Sequence, residues 1–288
     1  MPSRVPNHLA LIAVCAIALT GCGGGDEPPQ FQGVPAAEQD PGPIHVHGLG
    51  VDARTETLFI ATHTGLWQLP KGATRARRVG DRRQDTMGFT AAEPGVFLGS
   101  GHPDLREDLP PLLGLIRSTD DGRSWQPVSL LGEVDFHVLK TAGDRIYGFD
   151  ATGGTLRVSN DRGRTWVKNT VPEPLVDLVV DPTDADHVVA SGGAALYESL
   201  DRGATWRTLN GVPGYLAWPR QGRLYRIDVE GRAAVATSAD REFRPLGSIG
   251  GTPEAFLAAG GELYAAADGV GIKQSSDDGR SWTLRYRP

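Results

Sequence analysis

Histidine is the residue type whose distribution in this sequence most clearly indicates chemistry. Seven histidines occur among the 288 residues. Five of them lie between residues 44 and 140: His45, His47, His63, His102 and His137. Neutral imidazole is a common ligand of zinc, copper and nickel in proteins. These five histidines are therefore candidate ligands of a transition-metal ion, with copper or zinc as the expected metals.

Oxygen and sulfur donors accompany the histidines. Asp85, Asp104 and Asp135 supply carboxylates in the same region, and Met87 is the only methionine besides Met1. A thioether is a soft ligand that suits copper. Because no cysteine follows residue 22, a metal site beyond that point must be built from histidine, carboxylate or Met87.

Charged residues in the same region allow a different function. Three arginines could bind a substrate carboxylate, and neighbouring acids could act as general acid and base in glycoside hydrolysis. The candidate ligand-binding residues are Arg82, Arg83, Asp85, Asp104 and Arg106, with Glu107 and Asp108 beside them. Two simpler interpretations stay open: histidines at strand ends often only hydrogen-bond backbone groups, and charged loops are often only solvated.

A repeated octad indicates which elements position these residues. The pattern Ser-x-Asp-x-Gly-x-(Ser/Thr)-Trp occurs four times, at intervals of about 40 residues except for the last. Its recurring residues are Ser118, Asp120, Gly122 and Trp125; Ser159, Asp161, Gly163 and Trp166; Ser199, Asp201, Gly203 and Trp206; and Ser275, Asp277, Gly279 and Trp282. Short β-branched or apolar runs flank each octad, which predicts a tight turn between two strands.

The residue types of the octad suit such a turn. An aspartate side chain can accept hydrogen bonds from backbone N–H groups two residues on, and glycine adopts backbone conformations that a Cβ would resist. The tryptophan that ends the octad begins the next strand and can bury its indole against a neighbouring layer. The octad residues are therefore predicted to be structural.

The spacing predicts the fold. Each interval has room for four strands in about 40 residues, which is the size of a propeller blade. Two weaker copies of the pattern, Gly65–Val79 and Ser238–Leu246, fill the remaining gaps. The chain is therefore predicted to be all-β, a propeller of six four-stranded blades, with an insertion in the second blade.

This topology places the histidines on one rim. If strands a to d of each blade run outward from the axis, the octads join c to d on the bottom face, and the top face collects the starts of a and the ends of b. The five histidines then map to the top face of three consecutive blades. His45 and His47 are two residues apart on a predicted strand, so their side chains should share one side, with Cα atoms about 6.5 Å apart.

The octads resemble Asp-boxes, also called BNR repeats. These mark sialidases, sortilin-type receptor ectodomains and photosystem II assembly propellers. The stretches "HVHGLGVD" and "ATHTGLW" also resemble bacterial lipoproteins often labelled glycosyl hydrolase or exo-alpha-sialidase. The resemblance implies the propeller but not one function, because functions differ among proteins that share the box. A sialidase uses three arginines, a Tyr–Glu pair and an aspartate; its Arg-Ile-Pro signature is absent, and no Tyr–Glu pair can be assigned.

The N-terminus predicts export and lipidation. An apolar run of 11 residues, Leu9–Leu19, is too short to span a bilayer and suits a signal peptide. It ends in "LTGC", which resembles a lipobox with Cys22 as the lipidated residue. An ordinary secretory signal is the alternative. The predicted domains are a lipoprotein signal peptide over 1–21, a Gly/Pro-rich linker over 22–43 and the propeller over 44–288.

These observations favour an extracytoplasmic lipoprotein, anchored to a bacterial membrane by its N-terminal lipid. The propeller is expected to be a monomeric binding or assembly module for a glycan or a protein, with a candidate metal site on its top face. The alternative is a glycoside hydrolase of the exo-alpha-sialidase type. The formal net charge of −6 gives no electrostatic argument for nucleic acid.

Overall fold

The computed structural model describes residues 42–237 and 242–288, and every helix or strand assigned among them is a β-strand. The 24 strands form six antiparallel sheets of four, and within each sheet the strands pair in chain order. The predicted six-bladed all-β propeller is confirmed. In this part of the chain no helix is long and apolar enough to cross a bilayer. The predicted signal peptide, Cys22 and most of the linker lie outside the described residues.

Each blade takes four consecutive strands. Blade 1 contains β1 (Val46–Asp52), β2 (Thr57–Thr62), β3 (Gly65–Leu69) and β4 (Arg77–Arg78). Blade 2 contains β5 (Asp85–Glu93), β6 (Val96–His102), β7 (Leu115–Ser118) and β8 (Gln126–Ser129). Blade 3 contains β9 (Phe136–Ala142), β10 (Arg145–Asp150), β11 (Thr155–Ser159) and β12 (Val167–Thr170).

The second half of the ring repeats the arrangement. Blade 4 contains β13 (Leu175–Asp181), β14 (Asp184–Gly192), β15 (Leu196–Ser199) and β16 (Arg207–Leu209). Blade 5 contains β17 (Tyr215–Arg220), β18 (Arg223–Ile227), β19 (Arg232–Ala236) and β20 (Phe243–Ser248). Blade 6 contains β21 (Pro253–Ala259), β22 (Glu262–Ala267), β23 (Gly271–Ser275) and β24 (Thr283–Tyr286).

The core lies between successive blades. Phe59 of blade 1 and Phe97 of blade 2 pack edge to face, with ring centroids 4.6 Å apart. The ring closes in the same way, because Ile272 of blade 6 belongs to one buried cluster with Ile60 of blade 1. At this seam the Arg285 guanidinium donates to two carbonyls of the turn that ends blade 1's third strand, at 2.7 and 2.8 Å.

The octads form the turns between the third and fourth strands of their blades. Ser118 Oγ accepts the Gly122 N–H at 2.8 Å, and the Asp120 carboxylate accepts the Ser124 N–H at 2.9 Å and its hydroxyl at 2.7 Å. The expected acceptance from two residues on is therefore wrong. The Ser118 hydroxyl accepts the Gly122 N–H, and the octad aspartates accept from three and four residues on, as Asp161 does from Arg164 and Thr165. Asp121 N–H donates to Gly95 O at 3.2 Å, which puts this octad beside the turn between the first two strands of its blade.

The tryptophans are not equally buried. Trp125 is only 7% exposed, whereas Trp166, Trp206 and Trp282 are half-buried. The Trp166 ring lies 5.1 Å from that of Phe136. Its Nε1–H lies within hydrogen-bond distance of Gly163 O in its own turn and of Ser129 Oγ in blade 2. Of the four octad indoles, which the sequence predicted could be buried against a neighbouring layer, only that of Trp125 is almost fully buried.

Candidate functional site: a histidine-rich channel mouth

A β-bulge recurs near the start of the innermost strand. In five of the six blades the pairing between the first two strands skips one residue at this point. The skipped residues are His47, Met87, His137, Val176 and Glu254. A bulge bends the strand and re-aims the side chain of the extra residue. In blade 5 Tyr215, the first residue of β17, takes the corresponding position without a bulge.

All six of these side chains line one cavity of about 380 Å³ at the propeller axis. His47, Met87 and His137 were candidate ligands from the sequence, but Tyr215 and Glu254 were not. The signal that could have found them is the position in the repeat: Tyr215 and Glu254 stand where the first three blades carry histidine or methionine. The channel mouth therefore combines imidazole, thioether, phenol and carboxylate groups.

Three groups converge on the rim of this mouth; we call them the Asp85 cluster, formed by His47, His63 and Asp85. His63 Nδ1 lies 2.8 Å from Asp85 Oδ2 and 3.2 Å from His47 Nε2. His47 Nε2 lies 3.6 Å from Asp85 Oδ1. One ligand atom from each residue lies within 4.8 Å of the others, and Asp85 Oδ1 is buried with no hydrogen-bond partner.

The spacing of these atoms suits a small cation. A tetrahedral zinc ion with bonds of about 2.0–2.1 Å holds its ligand atoms about 3.3 Å apart. Burial, followed by the charge of His63, lowers the pKa of His47 to about 4. His47 is therefore neutral at pH 7, the form in which imidazole binds a metal.

Burial is the main cause of a pKa shift in two further side chains that line the cavity, Tyr215 and Glu254. Burial raises the pKa of Glu254, and it raises the pKa of Tyr215 to about 12, helped by the charges of Asp177 and Glu254. Tyr215 is therefore a neutral hydrogen-bonding group at pH 7.

Two of the three remaining candidate histidines meet at a second carboxylate; we call this set the Asp135 cluster, formed by His102, Asp135 and His137. His137 Nε2 lies 2.8 Å from Asp135 Oδ2, and this hydrogen bond raises the pKa of His137. His102 Nε2 lies 3.6 Å from the same oxygen. His102 pairs with Asp85 across β5 and β6, so the two clusters are neighbours.

His45 lies beside the Asp85 cluster but not where strand alternation would put it. Strand β1 begins at Val46, His45 has a φ of +50°, and the bulge at His47 interrupts the strand. The expected common side of a regular strand therefore does not apply. The His45 ring centroid lies 5.3 Å from that of His63, and its Nδ1 lies 3.7 Å from Glu254 Oε1.

The arginines do not form the open carboxylate-binding site that was expected from the sequence, because Arg82 and Arg106 are paired with acids of the protein. Arg82 Nη2 donates to Glu107 Oε2 at 2.6 Å. Arg106 donates to both oxygens of the buried Asp104, which holds the pKa of that carboxyl well below its usual range. Asp104 also accepts the backbone N–H of Arg83 at 2.7 Å. These contacts fasten the blade 2 insertion to the preceding loop, and of the predicted ligand-binding residues Asp85 alone joins a histidine cluster.

Comparisons with known proteins give partial matches. No protein-family profile matches the sequence. The chain is 33% identical over 144 residues to the Dispase autolysis-inducing protein of Streptomyces mobaraensis, covering 48% of this chain and 35% of that protein. It is 26% identical over 222 residues to a Xyloglucanase of Paenibacillus sp., covering 66% of this chain and 20% of that enzyme. The chain thus spans about a third or less of the curated relatives' length.

Solved structures extend the likeness at low sequence identity. The GH74 xyloglucanase from Xanthomonas campestris superimposes with a TM-score of 0.57 at 16% identity, over 84% of this chain and 45% of that one. A chain of the nidogen/laminin complex superimposes with a TM-score of 0.63 at 14% identity, over 81% and 93% of the two chains. At such identities the likeness concerns the fold alone, a β-propeller.

Proposed function

We propose that this protein is a lipid-anchored extracytoplasmic binding module whose propeller, built from Asp-box turns, holds a late transition-metal ion at its channel mouth. One observation carries the proposal: in the Asp85 cluster two imidazole nitrogens and a carboxylate converge, and one buried carboxylate oxygen has no hydrogen-bond partner. Copper or zinc suits these nitrogen and oxygen ligands. Met87 on the same cavity wall favours copper.

Hydrogen bonding within the Asp85 cluster does not satisfy its atoms. A proton on His63 Nδ1 is directed to Asp85 Oδ2 at 2.8 Å. The His47 Nε2 to Asp85 Oδ1 distance of 3.6 Å is too long for a hydrogen bond. An unpaired buried carboxylate oxygen costs about 1–3 kcal/mol or more when charged. A cation between the three groups would compensate both the charge and the missing contact.

A glycoside hydrolase remains the second candidate function, favoured by the likeness to xyloglucanases and by Glu254. Burial raises the pKa of this carboxyl at the channel mouth, as a general acid requires. A sialidase-type mechanism is less well supported, because the guanidinium groups of Arg82 and Arg106 are paired with acids of the blade 2 insertion. If the propeller is not catalytic, its partner would be a glycan or a protein. The propeller would bind this partner as a monomer.

The metal proposal predicts the outcome of a calorimetric titration. His-tag-free protein, stripped with chelator, should bind Cu(II) or Zn(II), and His47→Ala/His63→Ala should weaken binding at this cluster by more than about 100-fold. The loss should exceed the 10–100-fold typical of losing a residue that only supports a ligand. His45→Ala is the matched control and should stay within a few-fold of the parent.

Two results would contradict the metal proposal. One is a double variant that binds both metals as tightly as the parent at every site. The other is hydrolysis of xyloglucan or a fluorogenic sialoside by chelator-stripped protein, unchanged in the double variant and lost in Glu254→Gln. The second result would assign the channel mouth to glycoside hydrolysis.

The anchor is tested separately. Cys22→Ser should move the protein from the membrane fraction to the soluble extracytoplasmic fraction, because each buried CH₂ of an acyl chain contributes about 0.8 kcal/mol to membrane binding. Cys15→Ser lies in the predicted signal core and should leave the protein membrane-bound. Immunoblots of fractionated cells measure both. A Cys22→Ser protein retained in membranes at the parent level would rule out lipid anchoring at this residue.

A further inference from the structure

We infer that the protein binds a linear, uncharged polysaccharide in a groove on the bottom face of blade 6, on the side of the octad turns and away from the channel mouth. Two cavities of about 620 and 420 Å³, one on each flank of blade 6, form this groove, which we call the blade 6 groove. The inference names the partner of the binding module proposed above and rests on that binding role, but it does not require the metal ion.

The larger cavity lies between blades 6 and 1, where the octad pattern is interrupted. In blade 2 the octad glycine packs on a leucine of the preceding blade, since a Cβ on Gly122 would lie 2.2 Å from the Leu66 side chain. The octads of blades 3 and 4 repeat this contact. In blade 1 the corresponding positions of the weaker copy hold Lys71 and Ala73 instead of aspartate and glycine. The seam between blades 6 and 1 is therefore not covered by an octad.

The smaller cavity lies on the other flank, between blades 5 and 6. Gly260 and Glu262 line both cavities, so the two meet at the turn between the first two strands of blade 6. This turn consists of Gly260 and Gly261, and no atom of the described residues lies within 4 Å of a Cβ built on either. Because no side chain stands on the turn, a linear ligand can cross it from one cavity to the other.

The charges along the blade 6 groove are nearly balanced. Lys71 Nζ lies 2.7 Å from Glu56 Oε2, and Arg220 Nη2 lies 3.7 Å from Asp278 Oδ1. The charged residues that line the two cavities are Glu56, Glu262 and Asp278 on the acidic side and Lys71, Arg220, Arg285 and Arg287 on the basic side. Such a mixture creates no strong field of one sign and so does not concentrate a polyanion or a polycation. The expected ligand is therefore uncharged.

The other groups of the larger cavity suit sugar rings. Tyr264 and Tyr286 are partly buried there, and Leu284 is 46% exposed. The C–H face of a pyranose ring packs on aromatic and aliphatic surface of this kind, whereas its hydroxyl groups need polar partners. The Gln274 amide and the Glu262 carboxylate, whose Nε2 and Oε2 lie 3.2 Å apart, supply donors and acceptors for such hydroxyls. These features together favour an uncharged, hydroxyl-rich polymer.

Native gel electrophoresis in the presence of a polysaccharide tests the inference, because a bound polymer slows the protein. The gels contain hydroxyethyl cellulose, xyloglucan, mannan or glycol chitin, with polygalacturonate as the charged control. At least one uncharged polymer should slow the chelator-stripped parent, and polygalacturonate should not. Tyr264→Ala should weaken binding by about 10-fold, since one aromatic contact contributes about that factor. Tyr197→Ala, which removes a partly buried tyrosine of blade 4, is the matched control and should bind as the parent does.

A second variant guards against a folding defect in Tyr264→Ala. Gly260 has a φ of +61°, a conformation that asparagine tolerates. Gly260→Asn should therefore fold and place a side chain on the turn that the polymer crosses, and it should also weaken binding. His47→Ala/His63→Ala should bind the polymer as tightly as the parent, because the channel mouth lies on the other face. Circular dichroism checks the fold of every variant.

The outcomes separate the blade 6 groove from the metal proposal. A parent that binds metal but is slowed by none of the uncharged polymers would overturn the groove and leave the metal site standing. Unchanged binding in folded Tyr264→Ala and Gly260→Asn proteins would also overturn it, and loss in His47→Ala/His63→Ala alone would assign the polysaccharide to the channel mouth. Reduced and alkylated casein serves as an extended polypeptide probe. Binding of casein that both groove variants lose, with no polysaccharide bound, would assign the groove to polypeptide and overturn the inference.

Discussion

Trp125→Ala should lower the free energy of unfolding by about 3–5 kcal/mol, the cost typical of removing a large buried aromatic side chain. The Trp125 ring is 7% exposed and belongs to the buried cluster that joins blades 1 and 2, together with Phe59 and Phe97. It also covers Gly99, where a Cβ would lie 3.1 Å from its ring. The variant should therefore lose inter-blade contacts that no neighbour can replace.

Trp206→Ala is the matched control, since the same octad position is only half-buried there. Its cost should be less than half that of Trp125→Ala, because less apolar surface returns to water. Chemical denaturation followed by circular dichroism measures both. Metal binding of the remaining folded protein should be unchanged in either variant. A Trp206→Ala protein destabilised as much as Trp125→Ala would show that blade position does not set the depth of the anchor.

Gly88→Ala should cost about 3 kcal/mol or more, at the upper end of overpacking effects. Gly88 follows the bulged residue Met87, and a Cβ there would lie 2.3 Å from the backbone oxygen of Phe136 in the next blade. A backbone atom cannot move aside as a flexible side chain can. The inner strands of blades 2 and 3 would have to separate, which would also displace Met87 from His137.

Gly260→Ala provides the control for this prediction. Gly260 has a φ of +61° and no atom within 4 Å of its would-be Cβ, so the change adds backbone strain without a clash. It should cost roughly 1–2 kcal/mol, the penalty of a left-handed non-glycine residue. Thermal unfolding compares the two variants, and metal titration should detect weakened binding in Gly88→Ala alone. A Gly88→Ala protein as stable as Gly260→Ala would mean that the inner strands can spread at little cost.

The number and kind of blades could be predicted from the sequence because the octad is local. The hydrogen bonds of its serine and aspartate side chains join atoms no more than four residues apart, as in Ser118 to Gly122 and Asp120 to Ser124. Such a turn forms wherever its residues occur, so its spacing counts the blades. Strand order then predicted that five histidines lie on one rim. The structure brings His47, His63, His102 and His137 into two adjacent clusters, with His45 beside the first.

The composition of the channel mouth was decided by the tertiary structure. Bulges re-aim His47, Met87 and Glu254, and no residue pattern in a single strand announces a bulge. Glu254 approaches His45 only because the ring closes blade 6 against blade 1. The pairing of Arg82 with Glu107 of the blade 2 insertion and the depth of each tryptophan likewise depend on tertiary contacts. Local hydrogen bonds fixed the repeat, whereas packing between residues far apart in the chain set which side chains meet at the axis.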